Sequence, residues 1–497
     1  MADNRDRWGP VLKELEERRA AARAMGGSER VERLMHSRGK LDARKRLELL
    51  FDPGTFVELG TLVGGKGAPG DALVAGSGRV HGRVVLAGAE DFTVLGGSIG
   101  PGSAAKRSRI CQIAYQERIP LVFMLDGAGH RLTNTGGEGG GGGRGPNDLL
   151  LLADLSGRVP MVCLVLGASA GHGALTAPLS DFTIMAEYSS MFTGGPALVK
   201  GALGEEVSKE ELGGADVCAE IAGTAHNVAP DDPAAIELAR RYLSFFPQNR
   251  WEPAPRRDGP DAGRRSLDGM LDIVPPSARQ PYDMHAVLGL LVDEGSLLEI
   301  QPRFGPSLVT ALAFLGGRSV AVIANNPAVG AGAVDSPAAQ KAMDFIETAG
   351  HFNLPCIFLA DNPGVAAGSQ AEHSGILKWA GKMFLAQRRL RVPKLHVTMR
   401  KAFGFGSTTM AQNPFDNQTL TYALPVVNVS SMPAGTGGRT AKLDPETQAR
   451  VEAEQLAGPW RGAAGMGYDE IIDPRELRNA LIDGLDLLEG RRAAPVS

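Results

Sequence analysis

The feature that most constrains the fold is that the chain repeats itself. HGRVVLAGAEDFTVLGGSIG (81–100) is followed by RIPLVFMLDGAG (118–129), and GGRSVAVIANNPAVGAGAVD (316–335) is followed by NLPCIFLADNPG (353–364). Gly82, Lys106, Pro120 and Asp126 recur as Gly317, Lys341, Pro355 and Asp361, all at an offset of 235. VPMVCLVLGASAGHGA (159–174) recurs as VPKLHVTMRKAFGFGS (392–407) at an offset of 233. So many fixed spacings mark a duplication. A length of 497 residues would otherwise suggest about three domains; the repeat reduces that to two, expected over 1–255 and 256–497.

Both copies share one grammar. Short apolar runs at 84–87, 121–125 and 162–166 are bounded by Gly, Pro or Asp and read as buried strands. Stretches at 104–117 and 338–350 carry apolar residues at helical spacing. Strands alternating with helices predict an α/β fold whose parallel strands are covered on both faces. The first 50 residues read as helical, the Pro- and Arg-rich stretch 249–280 as a linker, and 441–497 as helix again. There DPETQARVEAEQLA and DPRELRNALIDGLDLLEG each open on an Asp-Pro start signal.

Composition excludes several function classes. A net charge of −4 gives no nucleic-acid footprint. No apolar run approaches the roughly 18 residues of a membrane span, and the charged N-terminus is no secretory signal. Cys111, Cys163, Cys218 and Cys356 are scattered without a CxxC pair, which argues against a disulfide framework and fits a reducing cytoplasm. The nine histidines form no HExxH, so no metal site is expected. Sixty-five glycines against 5% aromatics point to chemistry done by the main chain.

The strongest candidate sites are two glycine turns that end strands, Ala170-Gly171-His172-Gly173 and Phe403-Gly404-Phe405-Gly406. A turn of this kind aims main-chain N–H groups at one point and stabilises an oxyanion or enolate without a titratable side chain. Its duplication suggests two carbonyls to stabilise. Further turns at Gly96–Gly100, 330–332, Asp126–Gly129 and Asp361–Gly364 either cradle a phosphate or thioester arm or merely punctuate the chain. GGEGGGGGRG (136–145) looks like a phosphate-covering loop but lacks the lysine-bearing strand of one, so a loop over the active site is the better reading. The His172 ring either shapes the pocket or acts in catalysis. Ser169 sits in GASAG without identifiable nucleophile-elbow partners. Lys106 and Lys341 either meet phosphates or cap helices in solvent.

The succession GKLDARKRLELLFDPGTFVELG, DFTVLGGSIG, MFTGGPALVK, EELGGA, PYDM, DNPG and RKAFGFGSTTM, over about 35–440, closely resembles the carboxyltransferase (β) subunits of biotin-dependent acyl-CoA carboxylases, propionyl-CoA carboxylase type. The resemblance implies two tandem crotonase-like domains of ββα repeats, assembled as a homo-hexamer, with acyl-CoA on the N-terminal domain and biotin on the C-terminal one. No biotin-attachment MKM motif is present, so biotin would arrive on a separate biotin carboxylase/biotin-carrier (α) subunit. The residues so implied are Gly171 and His172 toward the thioester oxygen and Phe405 and Gly406 toward the biotin ureido carbonyl. Gly97, Ser98, Gly100, Lys106, Gly129 and Arg131 would bind CoA, and Gly364, Gly404 and Thr408 would flank biotin. Carboxybiotin would release CO2, biotin would take the α-proton, and the enolate would attack CO2.

The chain departs from the family pattern at these same places. It reads DGAGHRLTNTGG where the family has DSGGARIQEG, SAGHG for CAGGA, and FGFGST for YGGAYD. Thr408 replaces an acidic residue and Cys218 a histidine. Alternatives are an acyl-CoA decarboxylase, a crotonase-type enzyme without biotin, or an inactive structural paralogue in a mixed complex.

Overall fold

The computed structural model describes residues 4–65, 67–131, 147–259, 261–412, 419–430, 440–488 and 490. The glycine run 136–145 lies outside the described residues. Two compact units cover Met1–Ser244 and Phe245–Ser497.

In the first unit the strands are β1 (Val57–Leu59), β2 (Leu73–Val80), β3 (Arg83–Glu90), β4 (Leu121–Gly127), β5 (Met161–Ala170), β6 (Phe182–Ala186), β7 (Ser190–Phe192) and β8 (Asn227–Ala229). They form one sheet in the order β1-β2-β3-β4-β5-β6-β8, with β7 beside the end of β5. β2 and β3 are an antiparallel hairpin in which Leu73 faces Glu90. From β3 onward the pairings are parallel. The helix Pro101–Glu117 links β3 to β4, completing a strand–strand–helix unit. Leu121, Phe123 and Leu125 of β4 pack with Met161, Cys163 and Val165 of β5 in one apolar cluster. Val122, Met124, Val162 and Leu164, on the opposite face, are equally buried. Burial on both faces explains why these strands read as continuous apolar runs.

The second unit repeats this plan with β9 (Leu298–Ile300), β10 (Leu308–Leu315), β11 (Arg318–Asn325), β12 (Cys356–Asn362), β13 (Lys394–Phe403), β14 (Leu420–Ala423), β15 (Asn428–Ser430) and β16 (Glu470–Ile471). The order is β9-β10-β11-β12-β13-β14-β16, with β15 beside β13, and the helix Ser336–His351 links β11 to β12. The duplication read from spacing is therefore a duplication of topology.

The stretch expected as a linker is instead built into the second unit. Ser319 N donates to the Pro255 carbonyl at 3.0 Å, Asn353 Nδ2 to the carbonyls of Arg250 and Glu252, and Arg257 N to Gly317 O at 2.7 Å. A short helix, Met270–Ile273, follows. Helices expected at the two ends of the chain include Asn4–Arg23, Ala43–Leu50, Pro445–Leu456 and Leu477–Leu487. Asp42 caps Ala43–Leu50 by accepting from Arg44 N and Lys45 N, each at 3.0 Å. That helix delivers Arg46, fully buried, to Asp232 at 2.8 Å and Asp126 at 3.0 Å. Among the described residues no helix is long and apolar enough to cross a membrane.

Candidate active site

Three loops in the first unit converge where the parallel strands β3, β4 and β5 end, the edge at which open α/β sheets hold ligands. Ile99 N donates to Gly129 O at 2.8 Å, and Arg131 N to Ile99 O at 2.9 Å, tying the loop after β3 to the loop after β4. A Cβ at Gly129 would meet Ala170 O at 2.8 Å, so that loop in turn lies against the end of β5. Gly97 has φ +66 and its missing Cβ makes room for the Asp126 carbonyl. Ser98, Gly100 and Arg131 gather round Asp71. Arg131 Nη2 lies 2.8 Å from Asp71 Oδ1, its Nε donates to Ser98 Oγ at 3.1 Å, and Ser103 N donates to Asp71 Oδ2 at 2.8 Å.

Lys106 behaves differently from either sequence expectation. Its ammonium is buried against the Leu73 carbonyl, and burial pulls it down to about 8. Lys341, its repeat partner, donates to Gln301 O at 3.1 Å and is pulled by burial to the same value. Neither lysine is solvated. Their apolar helix faces draw the stems into the core, where a main-chain carbonyl is the available partner.

At the first glycine turn Gly171 takes φ +59, with only Thr193 O, at 3.6 Å, near its Cβ position. Its N–H donates to Phe192 O at 3.1 Å, because β7 pairs with β5 up to Ala170 and Phe192. Gly171, expected as a donor to substrate, is thus occupied by the sheet. Among the described residues the N–H groups of His172 and Gly173 have no acceptor.

Side chains that the sequence did not single out lie behind this turn. His172 Nε2 is 2.6 Å from Asp148 Oδ1, and Asp148 Oδ2 accepts from Arg107 Nε at 2.6 Å. Arg107 Nη1 lies 3.3 Å from Glu90 Oε1, and Glu90 Oε2 accepts from Asp126 N at 2.8 Å. His130 meets the His172 ring edge-on at 4.6 Å. Burial pushes Glu90 up to about 7 against the pull of Arg107. Burial also raises Asp148, but the His172 hydrogen bond and the Arg107 charge outweigh it and hold that carboxyl well below the usual range. Burial, then His172, lowers His130. Ser169 is fully buried and its hydroxyl has no partner among the described residues, which leaves it no nucleophilic geometry.

The second unit brings Gly364, Gly404, Phe405, Gly406 and Thr408 together. A six-residue helix, Gly404–Thr409, starts on the turn, so the N–H groups of Phe405 and Gly406 have no carbonyl one turn back. A Cβ at Gly406 would overlap Asn362 Oδ1 and would lie 2.6–2.7 Å from the Gly364 Cα and carbonyl carbon. Phe405 is partly exposed, with its ring 5.9 Å from Phe384. Thr408 offers its carbonyl to Gln387 Nε2 at 3.1 Å. Asn325 Oδ1 accepts from Asp361 N at 3.1 Å, repeating the Glu90–Asp126 contact, and Asp361 is paired with Arg400 at 2.8 Å. Cys218 is buried, with Sγ 3.5 Å from Gly213 O.

Residues 34–496 match the carboxyl transferase domain. The chain belongs to the carboxyl transferase family. It is 35% identical to the methylmalonyl-CoA decarboxylase subunit alpha of Veillonella parvula, covering 96% of each chain. It is also 35% identical to the methylmalonyl-CoA carboxyltransferase 12S subunit of Propionibacterium freudenreichii subsp. shermanii, covering 97% of this chain and 94% of that one. Among solved structures, transcarboxylase 12S with methylmalonyl-coenzyme A and methylmalonic acid bound, described as a hexamer assembly, superposes with a TM-score of 0.90 at 34% identity. The match covers 98% of this chain and 97% of that one. The two units of this family member are tandem crotonase-like domains, as the resemblance implied.

Proposed function

We propose that this carboxyl transferase moves a carboxyl group between the α-carbon of a short acyl-CoA and biotin carried on a separate polypeptide. The observation that carries the reading is the pair of strand-ending turns, one per unit: among the described residues the N–H groups of His172 and Gly173 have no acceptor, and those of Phe405 and Gly406 stand in the first turn of a helix. In the first unit the N–H groups of His172 and Gly173 face the thioester oxygen as enolate charge develops, with Gly97, Ser98, Gly100, Gly129 and Arg131 shaping the CoA side. In the second unit Phe405 and Gly406 hold the ureido carbonyl of biotin between Gly364, Gly404 and Thr408. Bound biotin supplies a carrier that accepts or gives up the carboxyl group. The names of relatives, methylmalonyl-CoA enzymes and propionyl-CoA carboxylases, favour these two acyl-CoAs, and the 12S structure supports a homo-hexamer here as well. Four buried free cysteines suit a reducing cytoplasm.

The test is purified protein incubated with methylmalonyl-CoA and a biotinylated carrier domain, with both products followed by mass spectrometry. Propionyl-CoA and carboxylated carrier should form together. Absence of both from a folded oligomer would refute the reading. A second reading, decarboxylation of methylmalonyl-CoA, is favoured by the Veillonella relative and would show as net loss of CO2 from the carrier with continued turnover.

A further inference from the structure

The duplication supplies an internal control. Where the first unit has Glu90, Arg107 and His172, the second has Asn325, Ala342 and Phe405 at the repeat offsets. Asn325 keeps the one contact both units need, accepting from the main chain at Asp361, as Glu90 does at Asp126. The rest of the first unit's network, Arg107 to Asp148 to His172, is therefore not required to build this turn.

Its polar groups converge on the His172 ring. Arg107 is fully buried and committed to Asp148, Glu90 and Thr176 Oγ1. Asp148 is buried and ionised, held by Arg107 on one oxygen and His172 on the other. A carboxylate only accepts, so the hydrogen of the neutral His172 ring sits on Nε2 and the lone pair on Nδ1, the nitrogen nearer the main chain. The side chain keeps 18% of its surface. The same residue's N–H is one of the two uncommitted donors, so a thioester oxygen held there brings the α-carbon beside the ring. The charged or titratable groups facing the ring are Asp148 from the helix Asp148–Leu155, Arg107 from Pro101–Glu117 and His130 from the loop after β4. Beyond Arg107 lies Glu90 at the end of β3.

We propose that the His172 imidazole, positioned by Asp148, is the base that removes the α-proton of the acyl-CoA and the acid that returns it. This rests on the functional reading above. The α-carbon–hydrogen bond breaks and a hydrogen–Nδ1 bond forms. The electron pair moves into the thioester as an enolate whose oxygen faces the N–H groups of His172 and Gly173, and the imidazolium gives its proton to water. The reverse sequence protonates the enolate left by decarboxylation.

The experiment is deuterium incorporation at the α-carbon of propionyl-CoA in D2O, with full-length protein and no carboxyl donor. Propionyl-CoA binding is measured in parallel by calorimetry. Wild type should exchange the α-protons, with a rate that rises with pH on a single ionisation. His172→Gln should bind propionyl-CoA with similar affinity and lose roughly 10²–10⁴-fold in exchange. Asp148→Asn should retain partial exchange with a displaced pH midpoint, which a purely structural role would not produce; it also serves as the test if His172→Gln does not fold. Binding without exchange in wild type, or equal exchange in a folded His172→Gln, overturns the proposal alone. No binding of any acyl-CoA overturns the functional reading and the proposal with it.

Discussion

Gly406→Ala is the sharpest perturbation of the second turn. The added methyl would overlap Asn362 Oδ1 and lie 2.6 Å from Gly364 Cα, about 1 Å inside ordinary carbon contact. Asn362 cannot swing away, because its Nδ2 donates to Asn325 Oδ1 at 3.0 Å and its Oδ1 accepts from Gly364 N at 3.0 Å. Asn325 is itself tied to Asp361 N and Gly332 O. The displacement must therefore pass into the backbone of the turn. Overpacking of this kind costs about 1–3 kcal/mol, which for a unit of this size is a fall in Tm of roughly 2–10 °C. Misaiming the Phe405 and Gly406 N–H groups by about 1 Å should lower kcat on the order of 10²-fold. KM for the acyl-CoA should hold steady if the thioester site lies in the other unit, as proposed. Gly171→Ala is the counterpart. Nothing lies within 3.5 Å of its Cβ position, so the cost is the roughly 1–2 kcal/mol of a left-handed residue. Steady-state transcarboxylation and thermal melts on both variants decide the matter. A folded Gly406→Ala enzyme with unchanged kcat would refute the argument that this glycine exists to place main-chain donors.

Arg46→Met removes the cation shared by Asp126 and Asp232 and leaves Asp232 buried without it. We expect a loss of about 3–5 kcal/mol, read by denaturant titration, and a loss under 1 kcal/mol would contradict it. Burial holds the imidazoles of His226 and His396 down at about 4, below their ordinary value near 6.5. Both are neutral in the native fold, so their contribution is complete above about pH 6.5 and drains away as pH falls toward 4, where only the unfolded chain takes up the protons. His226→Gln should flatten that acid limb in urea melts at pH 7 and 4.5, and an unchanged slope would count against it.

Local pattern made much of this protein legible. The offset of 235 residues announced the double sheet, since two copies of one spacing must solve the same packing problem in the same way. The turns at Gly171 and Gly404 are visible because the same glycine turn recurs at the matching place in both copies. The Pro-rich stretch looks like a linker in sequence because the groups that fasten its main chain, Ser319, Asn353 and Gly317, are far away along the chain. Lys106 reads from sequence as meeting a phosphate or capping a helix in solvent for a similar reason: the Leu73 carbonyl that takes its ammonium lies 33 residues away along the chain.

By itself the sequence determined the duplication, the α/β class, the strand-ending turns and the family pattern, because each is carried by neighbours or by fixed spacings along the chain. Only the tertiary structure decided which N–H groups are spent and which are left. Gly171 is consumed by Phe192, whereas His172 and Gly173 find no acceptor among the described residues, and this depends on β7 folding back beside β5. It also decided that Glu90, Arg107, Asp148 and His172 form one network. These four residues share no spacing, and burial in a medium that poorly solvates charge is what forces them together.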